Sequence, residues 1–165
     1  MKNRILLLAA RCSLLAVVAC TQSSPAPPPA APSASADSPR ITFPDGFVVQ
    51  VEVVADDDTR QQGLMFRDHL ADDRGMIFFF AETGEYPFWM KNTLIPLDMI
   101  WIDEARRIAH IAHGVPPCKA DPCPSYPPHA QARYVLEVAA GVAAKHGLKD
   151  GDALRFTGME HVVVR

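Results

Sequence analysis

Carboxylates set among apolar residues, a tryptophan–lysine pair and a cysteine–histidine loop are the features whose residue types and spacing suit chemistry. In Phe88-Trp89-Met90-Lys91-Asn92, strand alternation sends Phe88, Met90 and Asn92 to one face and Trp89 and Lys91 to the other. An indole beside an ammonium group makes a platform for a sugar, a peptide or a flat ligand. The competing architecture packs Trp89 under a loop and pairs Lys91 with Asp98 or Glu137. Asp98 stands in Leu97-Asp98-Met99-Ile100-Trp101-Ile102, where a carboxylate has to be paired or protonated. Its fold-internal partners would be the Asn92-Thr93 turn or Arg67. Arg67 in turn suits either a clamp for a ligand carboxylate or an ion pair within the fold. Asp98 and Glu137 could also act as the acid and base of a glycosidase-like hydrolase, provided the fold brings them into one cleft.

His113, Cys118, Cys123 and His129 form a complete tetrahedral set for zinc or a soft site for copper. Met65, Met76, Met90 and Met99 would supply thioethers for Cu(I). Against a metal stands the fate of exported cysteines, which normally oxidise. Pro116, Pro117, Pro122 and Pro124 shape a stiff loop that a Cys118–Cys123 disulfide would pin, at a gain of about 2 kcal/mol. The expectation is therefore a disulfide, with no metal and no other cofactor. His110 and His113, three residues apart, face opposite sides of a regular strand and cannot chelate together. Beyond residue 38 the chain has one serine, Ser125, and no Gly-x-Ser-x-Gly elbow or phosphate-cradling glycine loop. A nucleophilic enzyme finds no support, and a binding module is favoured over a hydrolase.

The N-terminus supplies an address. Lys2, Arg4 and Arg11 precede a short apolar run from Ser13 to Ala19, and Arg11 breaks any stretch long enough to span a bilayer. Residues 1–20 read as an export signal ending in Val17-Val18-Ala19-Cys20, which resembles a bacterial lipoprotein signal with Cys20 as the lipidated residue. Cysteine arithmetic agrees, because Cys12 leaves with the signal, Cys118 and Cys123 pair, and Cys20 is left over. In residues 21–40, sixteen of twenty are Pro, Ala or Ser, the composition of an extended tether that buries no core. Thr21 after the cysteine favours delivery to the periplasmic face of the outer membrane in a Gram-negative envelope.

Residues 41–165 then form one domain. The chain has 16 basic and 19 acidic residues, and Lys2, Arg4, Arg11, Arg40 and Asp37 fall in the first forty. That leaves 12 basic against 18 acidic residues in the body, which argues against a nucleic-acid partner. Membrane contact is expected through the N-terminal lipid, and any other partner through an envelope ligand or protein.

The elements that must position the candidate residues are mostly strands. Ile41-Thr42-Phe43 and Phe47 to Val54 flank Pro44-Asp45-Gly46 as a hairpin. A short helix is expected from Thr59 to Phe66, capped within Asp56-Asp57-Asp58. Gly75 to Phe80 reads as a strand buried on both faces. Further strands are expected over Phe88 to Lys91, Leu97 to Asp103, Arg107 to His113, Leu154 to Phe156 and His161 to Val164. Arg133 to Ala139 alternates as a half-buried strand with Arg133 and Glu137 outward, and Val142 to His146 is a second short helix stopped by Gly147. The expected fold is mainly β, a compact sandwich or barrel-like domain with one or two short helices.

Gly63-Leu64-Met65-Phe66-Arg67, Gly75-Met76-Ile77-Phe78, Phe88-Trp89-Met90-Lys91-Asn92-Thr93, Ile95-Pro96-Leu97-Asp98 and Ala132-Arg133-Tyr134-Val135-Leu136-Glu137 occur in that order. The succession, over about residues 41–157, resembles the family called domain of unknown function 192. The resemblance implies a compact mainly-β fold and no established reaction. The candidate binding surface is accordingly Arg67, Trp89, Lys91, Asn92, Asp98 and Glu137.

Overall fold

The computed structural model describes residues 38–165; the export signal, Cys20 and the tether up to residue 37 lie outside the described residues. Arg40, the last residue assigned to the tether, already belongs to strand β1 (Arg40–Thr42). It pairs antiparallel with β2 (Val48–Val54) around the expected turn. Gly46 takes φ 91°, a conformation that favours glycine, and Asp45 Oδ1 accepts from Phe47 N at 2.9 Å.

Helix α1 (Asp57–Gln62) then carries the chain across to β3 (Arg74–Gly84), which runs parallel to β2. The helix starts two residues earlier and stops four residues sooner than its sequence suggested. Asp56 caps it, accepting from Thr59 N at 3.0 Å, and Gly63 turns the backbone away with φ 47° and ψ −134°. The two-residue β4 (Phe88–Trp89) follows, then β5 (Leu97–Ile102), β6 (Ile108–Val115) and β7 (Ser125–Tyr126). Strand β8 (Ala132–Ala139), helix α2 (Val142–Lys145) and β9 (Arg155–Thr157) complete the fold.

Seven strands form one sheet in the order β6-β5-β8-β3-β2-β1-β9, antiparallel except for β2 and β3. The sheet curls into a half-barrel. Its two edges meet where Arg107 bridges Ala153, Ile108 N donates to Asp152 O at 2.9 Å and Gly151 N donates to Ile108 O at 2.7 Å. Ile41, Val49, Ile77, Ile100, Leu136 and Phe156 fill the inside of the curl, closed by Val142 and Ala143 of α2. The other face carries Met76, Phe78, Met99, Trp101 and Val135, with Leu64 and Met90 packed among them. β4 and β7 pair with each other as a small separate sheet, which contributes Phe88 and Tyr126 to that second core.

Three expectations need correction. The strand expected over Phe88–Lys91 is only two residues long, because its partner β7 is itself two residues. No strand forms over His161–Val164; that segment is irregular, and Arg165 N is tied to Ala55 O at 2.8 Å. β8 is not half-exposed but central, hydrogen-bonded to β3 and β5 and covered on both faces.

That centre is closely packed at Gly75, where β2 and β8 flank β3. A Cβ there would lie 2.7 Å from the Glu137 carbonyl oxygen and 3.2 Å from methyls of Val49 and Val138. Gly75→Ala is expected to cost about 1–3 kcal/mol, read as a lower urea midpoint; an unchanged midpoint would contradict this packing.

Candidate functional site

Helix α1 buries no residue of its own, so packing of an apolar stripe does not hold it. Arg60 does that work, donating from Nη1 to Phe79 O at 2.8 Å and from Nη2 to Asp57 Oδ1 at 2.7 Å and Arg165 O at 2.9 Å. Beyond the helix, Phe66 N donates to Asn92 O at 2.8 Å, and both residues take left-handed backbone with φ 63° and 56°. Phe66 keeps this conformation while its ring stays 69% exposed, so core burial does not offset the strain. The pairing brings the α1 end beside the segment that follows β4. Asn92 Nδ2 reaches Met65 Sδ at 3.7 Å.

Lys91 lies at the turn of the same segment, bridged in parallel to Cys118. Cys118 and Cys123 are joined as a disulfide with Cα atoms 5.6 Å apart. The loop they close presents Asp121, whose carboxylate lies 3.8 Å from Lys91 Nζ. Lys91 Nζ also sits 5.4 Å from the centre of the Trp89 ring, a cation–π contact. Trp89 is 43% exposed.

These residues enclose a hollow of about 340 Å³, walled by Asp58, Gln61, Gln62 and Met65 on one side and by Trp89, Lys91 and Asn92 on the other. A second hollow of about 290 Å³ shares Gln61 and Trp89 and is completed by Phe80, Tyr86 and Phe88 together with Arg60 and Pro87. Phe80 and Tyr86 stack with ring centres 3.6 Å apart. A narrow slot of about 30 Å³ shares Gln61 and Trp89 with both hollows and runs past Gly63, Phe78 and Thr93 to Glu137.

Glu137 is 4% exposed. Strand register sets it between Met76 of β3 and Met99 of β5, and no hydrogen bond or ion pair reaches its carboxyl among the described residues. Burial pushes its pKa up to about 8. Glu52, two strands away in the same row, differs because Arg67 reaches it. Arg67 holds Glu52 with both terminal nitrogens, Nη2 to Oε2 at 2.6 Å, and this keeps the Glu52 carboxyl below its ordinary range.

The six sequence-derived candidates thus separate. Trp89, Lys91, Asn92 and Glu137 come together. Asn92 lines the same hollow as Trp89 and Lys91, rather than the opposite face, because left-handed backbone breaks the alternation. Arg67 pairs with Glu52 and does not line either hollow or the slot. Asp98 is fully buried on the inner face, where it accepts from Gly114 N at 2.7 Å and from Gly141 N and Ala143 N at 2.9 Å. Neither the Asn92-Thr93 turn nor Arg67 is its partner. Asp98 is paired with Val138 and Glu137 with Met99 across β5 and β8, so the two carboxylates point to opposite faces and share no cleft. That geometry removes the basis of the Asp98/Glu137 hydrolase.

The alternative metal set of His113, Cys118, Cys123 and His129 is likewise not assembled. Both sulfurs are spent in the disulfide, and His129 meets His110 edge to face at 5.5 Å. Among the described residues, no three His, Cys, Asp or Glu side chains gather at metal-binding distance. Sequence reasoning missed Asp58, Gln61, Gln62 and Met65 as walls of the site. The signal was available in Asp57–Gln62, a helix with no apolar face.

The family model DUF192, described as "Uncharacterized ACR", matches residues 41–156. The chain belongs to the DUF192 family. No curated protein matches it. A crystal structure from Sinorhizobium meliloti 1021, provisionally described as a transcription regulator, is 37% identical, with a TM-score of 0.62 over 73% of this chain and 92% of that one. A protein of unknown function from Novosphingobium aromaticivorans DSM 12444 is 36% identical, with a TM-score of 0.63 over 72% and 83% of the two chains. The DUF192 motifs distribute over both roles seen here: Trp89, Lys91, Asn92 and Glu137 border the groove, whereas Arg67 and Asp98 stabilise the fold.

Two variants test this division of roles. Asp98→Ala strands three backbone N–H groups and is expected to cost about 3–5 kcal/mol of unfolding free energy in urea titrations. Glu137 should behave in the opposite way. Below pH 4.5 its carboxyl is neutral in both states; between 4.5 and 8 the unfolded chain loses the proton while the folded one keeps it. Its contribution to stability therefore falls by about 1.4 kcal/mol per pH unit in that window and levels off above it. Glu137→Gln is expected to flatten this loss and to be the more stable protein at pH 8. A wild type and variant with parallel profiles from pH 5 to 8 would contradict the burial described.

Proposed function

We propose that this DUF192 protein is a ligand-binding module of the cell envelope, with the groove beside α1 as its binding surface. In this reading Cys20 carries a lipid, residues 21–40 act as the tether, and the domain faces the periplasm from the outer membrane. One observation carries the binding assignment: Trp89, Lys91, Asn92 and Glu137 converge on one groove whose facing wall is the polar helix α1. A surface of exposed indole, amide side chains and a desolvated acid suits recognition of a small molecule with both apolar and polar parts. The strained turn at Phe66 and Asn92, which shapes that groove, supports the same reading. The Sinorhizobium neighbour's description as a regulator raises nucleic acid as a partner, but the acidic excess of the body disfavours it.

Full-length protein expressed with its own signal in a Gram-negative host checks both parts. Wild type should fractionate with membranes, and Cys20→Ser should be released in soluble form. Native mass spectrometry should find a small molecule retained by wild type and lost in Trp89→Ala, while the two unfold within about 1 kcal/mol of each other. Identical or absent retained species in both proteins would sink the binding assignment.

A further inference from the structure

We propose that the groove takes a primary amine, whose ammonium group enters the slot beside Glu137 while the rest of the ligand lies against Trp89. The inference rests on the groove being a ligand site and names the class of ligand.

Size is the first argument. The slot's space of about 30 Å³ admits a group the size of a water molecule, which an ammonium head is. A phosphate, a carboxylate or a ring needs more room, and finds it outside the slot, in the adjoining hollows of about 340 and 290 Å³.

Charge is the second. Both basic side chains bordering the slot are already engaged: Arg60 by Asp57, Phe79 O and Arg165 O, and Lys91 by Asp121 and the Trp89 ring. The two acids along the groove are not. Glu137 has no partner in the slot, and Asp58 at the rim has none among the described residues. An incoming cation therefore meets unpaired acid, whereas an incoming anion would have to displace existing ion pairs.

Hydrogen bonding is the third. An ammonium group has three N–H donors and needs acceptors for them. Glu137 and Thr93 both line the slot, and Thr93 Oγ1 directs its own proton to Lys91 O at 3.5 Å, which leaves its lone pairs free. Gln61 and Gln62 line both the slot and the larger hollow, and each carries an amide carbonyl as a further acceptor. The alkyl stem would then run along the exposed indole.

Binding also moves a proton. The buried acid is neutral when the slot holds no cation, so the ammonium ion displaces a proton from Glu137 to solvent and leaves a carboxylate–ammonium pair. The other charged groups facing the slot are Arg60 from α1 and Lys91 from the segment after β4; β3 and β5 present Met76 and Met99, and Asp98 lies on the far face. Glu137 is thus the group that titrates across neutral pH. The amine should bind about tenfold more tightly at pH 7 than at pH 6, with the gain levelling off as the pH approaches 8.

The test uses the full-length Cys20→Ser chain and three five-carbon probes that differ in their head group, n-pentylamine, pentan-1-ol and pentanoate, followed by the NMR shift of the Trp89 indole N–H. Pentylamine should shift that signal, more tightly at pH 8 than at pH 6, and the alcohol and the acid should not. Glu137→Gln should weaken pentylamine at least about tenfold, the loss of a buried charge pair. A second readout needs no variant: the Glu137 carboxyl ¹³C titration in wild type should move to lower pH when pentylamine is present. Equal binding of pentanol or pentanoate, or an unmoved Glu137 titration, would overturn the amine assignment and leave the groove as a ligand site. Silence toward all three probes would overturn the amine assignment as well. If no retained species depended on Trp89 either, the ligand-binding reading would fall with it.

Discussion

A strand hydrogen-bonded along both edges and packed on both faces has no solvent side, and in this protein that strand is β8. Its buried stretch from Val135 to Val138 must go into one of two cores. Leu136 and Val138 enter the inside of the curled sheet, and Val135 enters the outer core. Glu137 has to follow Val135, because side chains along a strand alternate. Its burial is therefore a consequence of sheet order. The surrounding fold accepts this at a cost that other positions avoid, since an unpaired buried carboxyl is less favourable than an apolar residue of like size.

Two buried acids in adjacent strands illustrate how environment separates roles. Asp98 is surrounded by three backbone N–H donors and ties the end of β6 and the start of α2 to β5. Helix α2 has no cap from its own neighbouring side chains, so the distant carboxylate serves instead. Closure of the half-barrel at that end depends on it. Glu137 has no such donors among the described residues, and the slot between α1 and the segment after β4 opens toward it. One acid is satisfied by the fold, while the other has no partner among the described residues.

The groove itself is assembled from weak local elements held by few strong contacts. Arg60 fastens α1, one backbone hydrogen bond between two left-handed residues joins Phe66 to Asn92, and the disulfide loop supplies the partner of Lys91. None of these contacts buries much apolar surface. Such a region can change in sequence without disturbing the two cores, as segments carried on a rigid scaffold do.

Much of this was legible along the chain. Turn chemistry at Pro44-Asp45-Gly46, the cap at Asp56, the apolar run of β3 and the helix before Gly147 are local preferences, governed by residues within a few positions of each other. The mainly-β architecture and the family motifs followed from the same short-range information. Partnership did not. Arg67 met Glu52, Asp98 met three amides and Lys91 met Asp121, all through contacts between segments far apart in sequence. Alternation said that Glu137 and Val138 point in opposite directions; sheet order alone could say that both directions are interior. A one-dimensional pattern distinguishes the two faces of a strand, but what covers each face is a property of its neighbours, and the unpaired acid in the groove exists for that reason.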